Sequence, residues 1–369
     1  MLIWNKNLII HRLDIPPGKR ILVVSDIHGN LEYFQKLLEK VGFCENDVLI
    51  IDGDFLEKGG KSLDTLRYIM ELSRAGNVFP LCGNCDSWAE VVDWPQFDGF
   101  SRLLSYMLHH KYGIFYEMLT ESGVQVSENT DMSLAVPFVR EKYRAEWDYL
   151  RGIPVCIDTP KYTFVHGGIR PDKPLGEHSC GECMKMDCFR SLGFSFDKWV
   201  IVGHWPTTLY IKSHVCANPI IDREEKIISI DGGCVLKDDG QLNALIIPYN
   251  GSEGFSWVYY DPFPVRIAKD AQSASESSYY IRWGDSEVEV LSRGEEFSRC
   301  RHVRTGYEMD ILTKYLFKGE DGLMHTNDCS DYALAVAPGD ELGIIEETTR
   351  GFYVKNNGVS GWYFGELYD

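Results

Sequence analysis

The first half of the chain repeats one pattern: a short apolar run, a polar turn carrying an acid or a histidine, then an amphipathic helix. "RILVVSDIHG" places Ile21, Leu22, Val23 and Val24 directly ahead of Asp26 and His28. "NLEYFQKLLEKVG" follows, with Leu31, Phe34, Leu37, Leu38 and Val41 on one helical face, Asn30 placed to cap it and Gly42 to stop it. "DVLIIDGD" reads as a second buried strand. "SLDTLRYIMELSRAG" reads as a second helix, with Leu63, Leu66, Ile69, Met70 and Leu72 inside and Gly76 as the stop, and "NVFPLCGN" as a third strand. This β-α-β-α-β rhythm predicts parallel strands under helices, the α/β class.

The rhythm then breaks. Residues from about 88 to 150 mix aromatics and charges at helical spacing, which predicts a helical insertion or lid. Strands return at "KYTFVHGG", "KWVIVGHWP", "KIISIDGG" and "LNALIIPY". Beyond about residue 262, "DAQSASESS" reads as a linker, "YYIRWGDSEVEVL" alternates like a hairpin, and the end carries short strands split by turns such as "NNG". The expected organisation is a domain over 1–262, a linker over 263–278 and an all-β region over 279–369.

A chain of 369 residues exceeds one small core. The net charge of −18 opposes a broad grip on nucleic acid or anionic lipid, so neither nucleic acid nor membrane is expected as a partner. One small basic pocket for a phosphorylated substrate remains compatible with it. The 11 cysteines are odd in number and irregular in spacing, and "MLIWNKNLIIHRLDIPPGKR" lacks the features of a secretory signal. No window reaches the roughly 18 apolar residues of a membrane span. A reducing cytoplasm is the expected location.

The polar punctuation carries the chemistry. Asp26 with His28, then Asp54, Asn84, His166 and His204 each follow an apolar run. In an open α/β sheet the C-terminal strand ends converge on one edge, where ligands bind. Carboxylate oxygen and imidazole nitrogen together suit Mn, Fe, Zn or Ni more than Mg or Ca. A carboxylate shared by two such ions sets a two-metal hydrolase site, in which a bound water is acidified towards a pKa of roughly 7 and becomes a hydroxide nucleophile.

These motifs resemble the calcineurin-like metallophosphoesterases over roughly residues 20 to 248. "SDIHGN" is similar to the Asp-x-His-Gly element, "GDFLEKG" to Gly-Asp-x-Val-Asp-Arg-Gly, and "GNCD" to Gly-Asn-His-Glu/Asp. "FVHGG" and "VGHWPT" resemble the two histidine elements, and "ISIDGGCV" the strand that closes the bacterial domain. The resemblance implies a four-layer α-β-β-α sandwich and two transition-metal ions, Mn ahead of Fe, Zn, Ni or Co. It implies Asp26 and His28 on the first metal, Asp54 bridging, and Asn84, His166 and His204 on the second. Trp205 and Pro206 stand where many relatives have a second histidine, which favours the phosphatase branch, including symmetrical dinucleoside tetraphosphate hydrolases.

The chain departs from that branch at two places. Glu57 and Cys85 occupy the positions of an Asp–His pair over the leaving group, and a thiol is the poorer acid at neutral pH. Lys58 replaces the arginine that clamps phosphate, leaving a point charge without the bidentate fork; Arg140, Arg144, Arg151 and Arg170 are candidates to assist it. Asn84 and Lys58 are also expected near substrate. Asn30 is open between a plain helix cap and a phosphate contact. Asp86 is expected to fix its loop.

Other features keep two readings. His178, Cys180, Cys183 and Cys188 suit either a zinc site or a loop of reduced cysteines. His109 and His110 read as a solvated face of the insertion. The tail resembles a bacterial SH3-like module, in which Trp362 and Tyr363 either line a groove for a peptide partner or serve packing. The expected function is a binuclear metal-dependent phosphoesterase acting on phosphate monoesters, either a phosphoprotein or a small phosphorylated molecule. A dinucleoside polyphosphate hydrolase comes next and a phosphodiesterase third. The non-enzymatic alternative is a phosphate-sensing scaffold.

Overall fold

The structure is a computed structural model that describes residues 8–93 and 97–368. The chain forms two compact units, one of residues up to 206, 219–236 and 240–261, the other of 207–218, 237–239 and 262 onward.

The strands, in chain order, begin β1 (Ile10–Arg12), β2 (Ile21–Val24), β3 (Val48–Asp52), β4 (Val78–Leu81), β5 (Cys156–Asp158), β6 (Tyr162–Phe164) and β7 (Trp199–Val202). They continue with β8 (Val215–Cys216, in the second unit), β9 (Ile220–Asp222), β10 (Ile227–Ser229), β11 (Leu242–Ile247) and β12 (Ser256–Tyr260). The first unit holds two sheets, one of order β12-β11-β2-β3-β4 and one of order β1-β5-β6-β7-β10-β9. Strands β2, β3 and β4 are parallel, as the β-α-β rhythm predicts, whereas β11 lies antiparallel to β2 and β12 forms the edge beyond it.

Alternation along the strands explains the stacking of two sheets. Ile21, Val23, Val48 and Ile50 share one apolar cluster with Ile157, Phe164, Ile201 and Ile228 of the other sheet. Their neighbours Leu22, Val24, Leu49 and Ile51 point the opposite way, into the cluster of Phe34, Leu37, Leu66 and Ile69. Strands covered on both faces must be apolar throughout, hence the uninterrupted runs in the sequence.

Helix α1 (Leu31–Val41) buries Phe34, Leu37, Leu38 and Val41, and ends at Gly42 with φ of 61°. α2 (Ser62–Ser73) buries Leu63, Leu66 and Ile69. The insertion is helical: α3 (Trp88–Val92), α4 (Phe100–His110), α5 (Ile114–Glu121), α6 (Met132–Lys142) and α7 (Arg144–Gly152). A short α8 (Cys180–Met184) follows later. The insertion is clasped from both sides by carboxylates at helix starts. Glu117 of α5 accepts the backbone N–H groups of Ser62 and Leu63 at 3.0 and 2.7 Å, and Glu57 accepts that of Ile114 at 2.9 Å. Each carboxylate satisfies N–H groups that a helix start leaves without intrahelical partners.

The second unit is mostly β. Its largest sheet orders Val265–Ile267, Glu341–Thr348, Gly351–Asn356, Val359–Tyr363 and β8. Residues 263–278, expected as a linker, therefore supply an edge strand, paired through Val265 to Gly343. The expected hairpin over "YYIRWGDSEVEVL" is reduced to one antiparallel bridge, Arg282 with Asp285, across the turn at Trp283 and Gly284. Tyr280–Ile281 pairs with Cys329–Ser330, and Val288–Ser292 pairs with Phe297–His302. Tyr363 is fully buried, its hydroxyl donating to Asp270 O at 2.9 Å, so its ring is core and not a groove wall. Among the described residues no helix is long and apolar enough to cross a membrane.

Candidate metal centre

The strand-end residues meet across the top of both sheets. Asp26 and His28 follow β2, Asp54 follows β3, Asn84 follows β4, His166 follows β6 and His204 follows β7. Neighbouring loops are sewn together by their backbones: the N–H of Asp26 donates to Gly53 O at 3.0 Å and that of His28 to Asp54 O at 2.9 Å. Asp26, His28, Asp54, Glu57, Lys58 and His204 all have positive φ, six of the eleven such non-glycine residues described. That concentration of a disfavoured conformation marks a site whose geometry is imposed by its surroundings. Close approach requires glycine at two places, since a Cβ on Gly83 would collide with Asp54 and one on Gly203 with Asp26.

Donor atoms of Asp54, His166 and His204 all lie within 4.8 Å of one another, and so do those of His28, Asp54 and Cys85. Asp54 belongs to both groups. His166 Nε2 lies 3.3 Å from Asp54 Oδ2 and 4.0 Å from Asp26 Oδ1, and His28 Nε2 lies 3.8 Å from Asp26 Oδ1.

Three observations test whether these residues fit metal ions. Asp26 Oδ1, His28 Nε2 and His166 Nε2 are buried without a hydrogen-bond partner, a condition that costs about 1–3 kcal/mol per atom unless a ligand relieves it. Each histidine is also oriented through its other nitrogen. His166 Nδ1 lies 2.8 Å from Asp52 O, His28 Nδ1 3.3 Å from Leu56 O, and His204 Nε2 2.8 Å from Asp187 Oδ1. That pattern fixes the ring and its tautomer for coordination through the free nitrogen. Finally, the Asn84 amide lies 2.8 Å from His204 Nδ1. With its nitrogen turned there it donates. With its oxygen turned there two lone pairs face each other, an arrangement that a shared cation resolves, and Nδ2 then donates to Cys85 Sγ at 3.2 Å. The residue set fits.

Electrostatics agree with a site built for positive charge. Burial drives Asp26 well above the usual carboxylate range, reinforced by Asp231. Burial also acts upward on Asp54, but His166 and His28 outweigh it and hold Asp54 below its ordinary range. Burial pulls His166 down, yet Asp54 and Asp26 push it well above its usual range. Burial lowers His28 and His204 to about 4, so both rings are neutral donors at pH 7.

The remaining predicted residues divide. Asp86 accepts the N–H groups of Asp54, Gly83 and Leu56 at 2.7, 2.9 and 3.0 Å, which makes it the brace of the loop. Cys85 donates its backbone N–H to Asp54 Oδ1 at 2.7 Å, and burial with Asp54 pushes its thiol well above its ordinary range. Lys58 is half-buried and close enough to act on His28 and Cys85. The Glu57 carboxylate, expected over a leaving group, is instead engaged by Ile114 N and by the Tyr106 hydroxyl at 3.2 Å. Asn30 caps α1, accepting from Tyr33 N at 3.4 Å.

The four candidate arginines are all paired elsewhere. Arg140 and Arg151 bind Asp93, Arg144 binds Glu141 and Arg170 binds Asp172. His178 is used by its own loop, with Nε2 accepting from Arg170 N at 2.8 Å and Nδ1 3.1 Å from Pro174 O. Among the described residues it forms no donor cluster with Cys180, Cys183 and Cys188, and all 11 cysteines are free of disulfides. Two neighbours escaped the sequence reading. Asp187 lies in a cysteine-rich loop distant in sequence from His204, and Asp52 serves through its backbone carbonyl, which no side-chain pattern reveals.

Residues 19–231 match the family described as calcineurin-like phosphoesterase, and the chain belongs to that family. The symmetrical bis(5'-nucleosyl)-tetraphosphatase of Actinobacillus succinogenes is 30% identical over 152 residues, which are 40% of this chain and 44% of that one. The corresponding protein of Buchnera aphidicola is 44% identical over 64 residues, 17% of this chain and 22% of its own length. The chain thus spans less than half the length of these curated relatives. Among solved structures, a protein serine/threonine phosphatase from Saccharomyces cerevisiae aligns with a TM-score of 0.45 at 12% identity, covering 70% of this chain and 84% of that one.

Proposed function

We propose that the chain is a binuclear metal-dependent phosphoesterase that hydrolyses phosphate monoesters, on a phosphoprotein or a small molecule. The observation that carries this reading is Asp54, shared between two donor groups. Asp26 and His28 would hold one ion, Asn84, His166 and His204 the other, with Asp54 common to both. Bound ions, Mn first and Fe, Zn, Ni or Co as alternatives, would supply Lewis acidity and acidify a coordinated water towards a pKa of roughly 7.

The protein's own groups do the rest. Lys58 offers an ammonium to the phosphate without the orienting fork of arginine. Cys85, protonated at neutral pH, donates a hydrogen bond toward a leaving oxygen but yields its proton poorly. Asp86 and Asp187 hold the ligands in place. The Glu57 clasp ties the insertion to the residue before Lys58.

The dinucleoside polyphosphate reading is favoured by the names of the curated relatives. A cytoplasmic location and an SH3-like C-terminal unit with a peptide partner remain parts of the proposal. Assaying a phosphomonoester, a phosphodiester and a dinucleoside tetraphosphate side by side tests it: the monoester is turned over fastest, and a dominant rate on either of the others overturns that order.

A further inference from the structure

Strands β6 and β7 deliver His166 and His204 from their C-terminal ends, and residues just ahead of the same two strands line a pocket of about 340 Å³. Pro160 precedes β6 and Lys198 precedes β7. Arg12, Leu13 and Asp14 at the end of β1, with Asp158 and Thr159 at the end of β5, complete the wall. β6 and β7 run parallel, so the pocket opens at the edge of the sheet opposite to the candidate metal centre.

The charges in this pocket are not matched to one another. Arg12 stands opposite Asp158 in the β1–β5 register, yet no salt bridge joins them. Asp158 Oδ1 is already taken by the Lys198 ammonium and by Thr163 Oγ1 at 2.9 Å, and Lys198 also donates to Thr159 O at 3.0 Å. Among the described residues the Arg12 guanidinium and the Asp14 carboxylate have no hydrogen-bond or ion-pair partner, and both residues are exposed. An arginine fork and a carboxylate thus share one pocket without neutralising each other. Ligands of a single sign fit it poorly: phosphate on Arg12 meets Asp14 and Asp158, and an amine on Asp14 meets Arg12 and Lys198. A zwitterion satisfies both groups. Its carboxylate accepts two parallel N–H groups of the guanidinium, and its ammonium donates to Asp14. Leu13 and Pro160 add an apolar wall that suits an aliphatic side chain. The volume lies at the small end of ligand pockets, which run from roughly 300 to 1,000 Å³, and so suits a single amino acid.

We propose that Arg12 and Asp14, with Leu13 and Pro160 beside them, form a binding site for a free α-amino acid with an aliphatic side chain. The site is separate from the metal centre and does not depend on the phosphoesterase reading above.

The test is calorimetric titration of the full chain with leucine, with isocaproate (leucine without its ammonium), with isopentylamine (leucine without its carboxylate) and with inorganic phosphate. Leucine binds about tenfold more tightly than either analogue, since each analogue loses one charge-assisted hydrogen bond. Arg12→Ala and Asp14→Ala each lower leucine affinity about tenfold and leave the unfolding midpoint in place. Asp14 lies beyond the end of β1, so Asp14→Ala carries the test should Arg12→Ala perturb that edge strand. Asp54→Asn, at the candidate metal centre, leaves leucine affinity unchanged. No binding of leucine, or equal affinities for leucine and its analogues, overturns the proposal. So does a leucine affinity that neither pocket variant alters, or tighter binding of phosphate than of leucine. Binding that Asp54→Asn abolishes and both pocket variants keep places the amino acid on the metal ions, and also overturns it.

Discussion

Asp86 holds the backbone of Asp54, its carboxylate accepting the Asp54 N–H at 2.7 Å. The same carboxylate accepts Leu56 N and Gly83 N, so one buried side chain joins the loops after β3 and β4. Asp54 adopts φ of 50°, a conformation that needs such support. Asp86→Ala leaves three N–H groups without their partner, each worth about 1–3 kcal/mol. Denaturant unfolding is expected to show a loss of at least about 3 kcal/mol, with weaker Mn binding. A variant as stable as the parent contradicts the bracing role.

Asp187 orients His204 from outside, and its side chain is 52% exposed. Its removal therefore affects coordination more than folding. Asp187→Ala is expected to weaken Mn binding roughly 10–100-fold with little change in unfolding midpoint. Metal titration followed by calorimetry decides it; unaltered affinity would show that His204 needs no such partner.

Cys85 is a protonated, half-buried thiol beside Asp54. Replacing it by histidine installs a group that can give up a proton near neutral pH. Cys85→His is expected to raise turnover of esters with poor leaving groups more than of those with good ones. A plot of log rate against leaving-group pKa flattens if Cys85 occupies the position of the acid, and keeps its slope if it does not.

Burial pushes the Glu57 carboxyl up from its ordinary 4.5 to about 7, against the hydrogen bonds from Ile114 and Tyr106. The folded protein then keeps a proton that the unfolded chain has lost between those two pH values, so stability falls as pH rises through that window. Glutamine at this position cannot ionise. Glu57→Gln is expected to match the parent near pH 4 and to gain on it by on the order of 3 kcal/mol above pH 7. Parallel denaturant curves across that range, with a constant difference, would rule out the neutral Glu57 in the clasp.

The strand ends were legible because each needs only local information. A run such as Ile21–Val24 announces a buried strand, and the acid or histidine after it lies at the sheet edge wherever the strand pairs. The long-range partners were not legible. Glu57 reaches Ile114 across 57 residues, and nothing local in "GDFLEKG" says that an insertion will claim its carboxylate. The polar stretch from 263 to 278 reads as a linker, yet the partner that turns part of it into a strand begins at Glu341. Asp187 depends on a loop path, and the 207–218 segment joins the second unit through pairing of β8 with Val359–Tyr363, both set by tertiary contacts.

The shared position of Asp54 is tested most directly by metal-dependent hydrolysis of a chromogenic phosphomonoester, with metal content measured on the same samples. Protein loaded with Mn, Ni, Co or Fe is expected to bind two ions and turn the ester over, while Asp54→Asn folds but loses turnover and part of its metal. Bound metal with no turnover under any of these ions, or full activity in Asp54→Asn, would contradict a binuclear hydrolase built around this carboxylate.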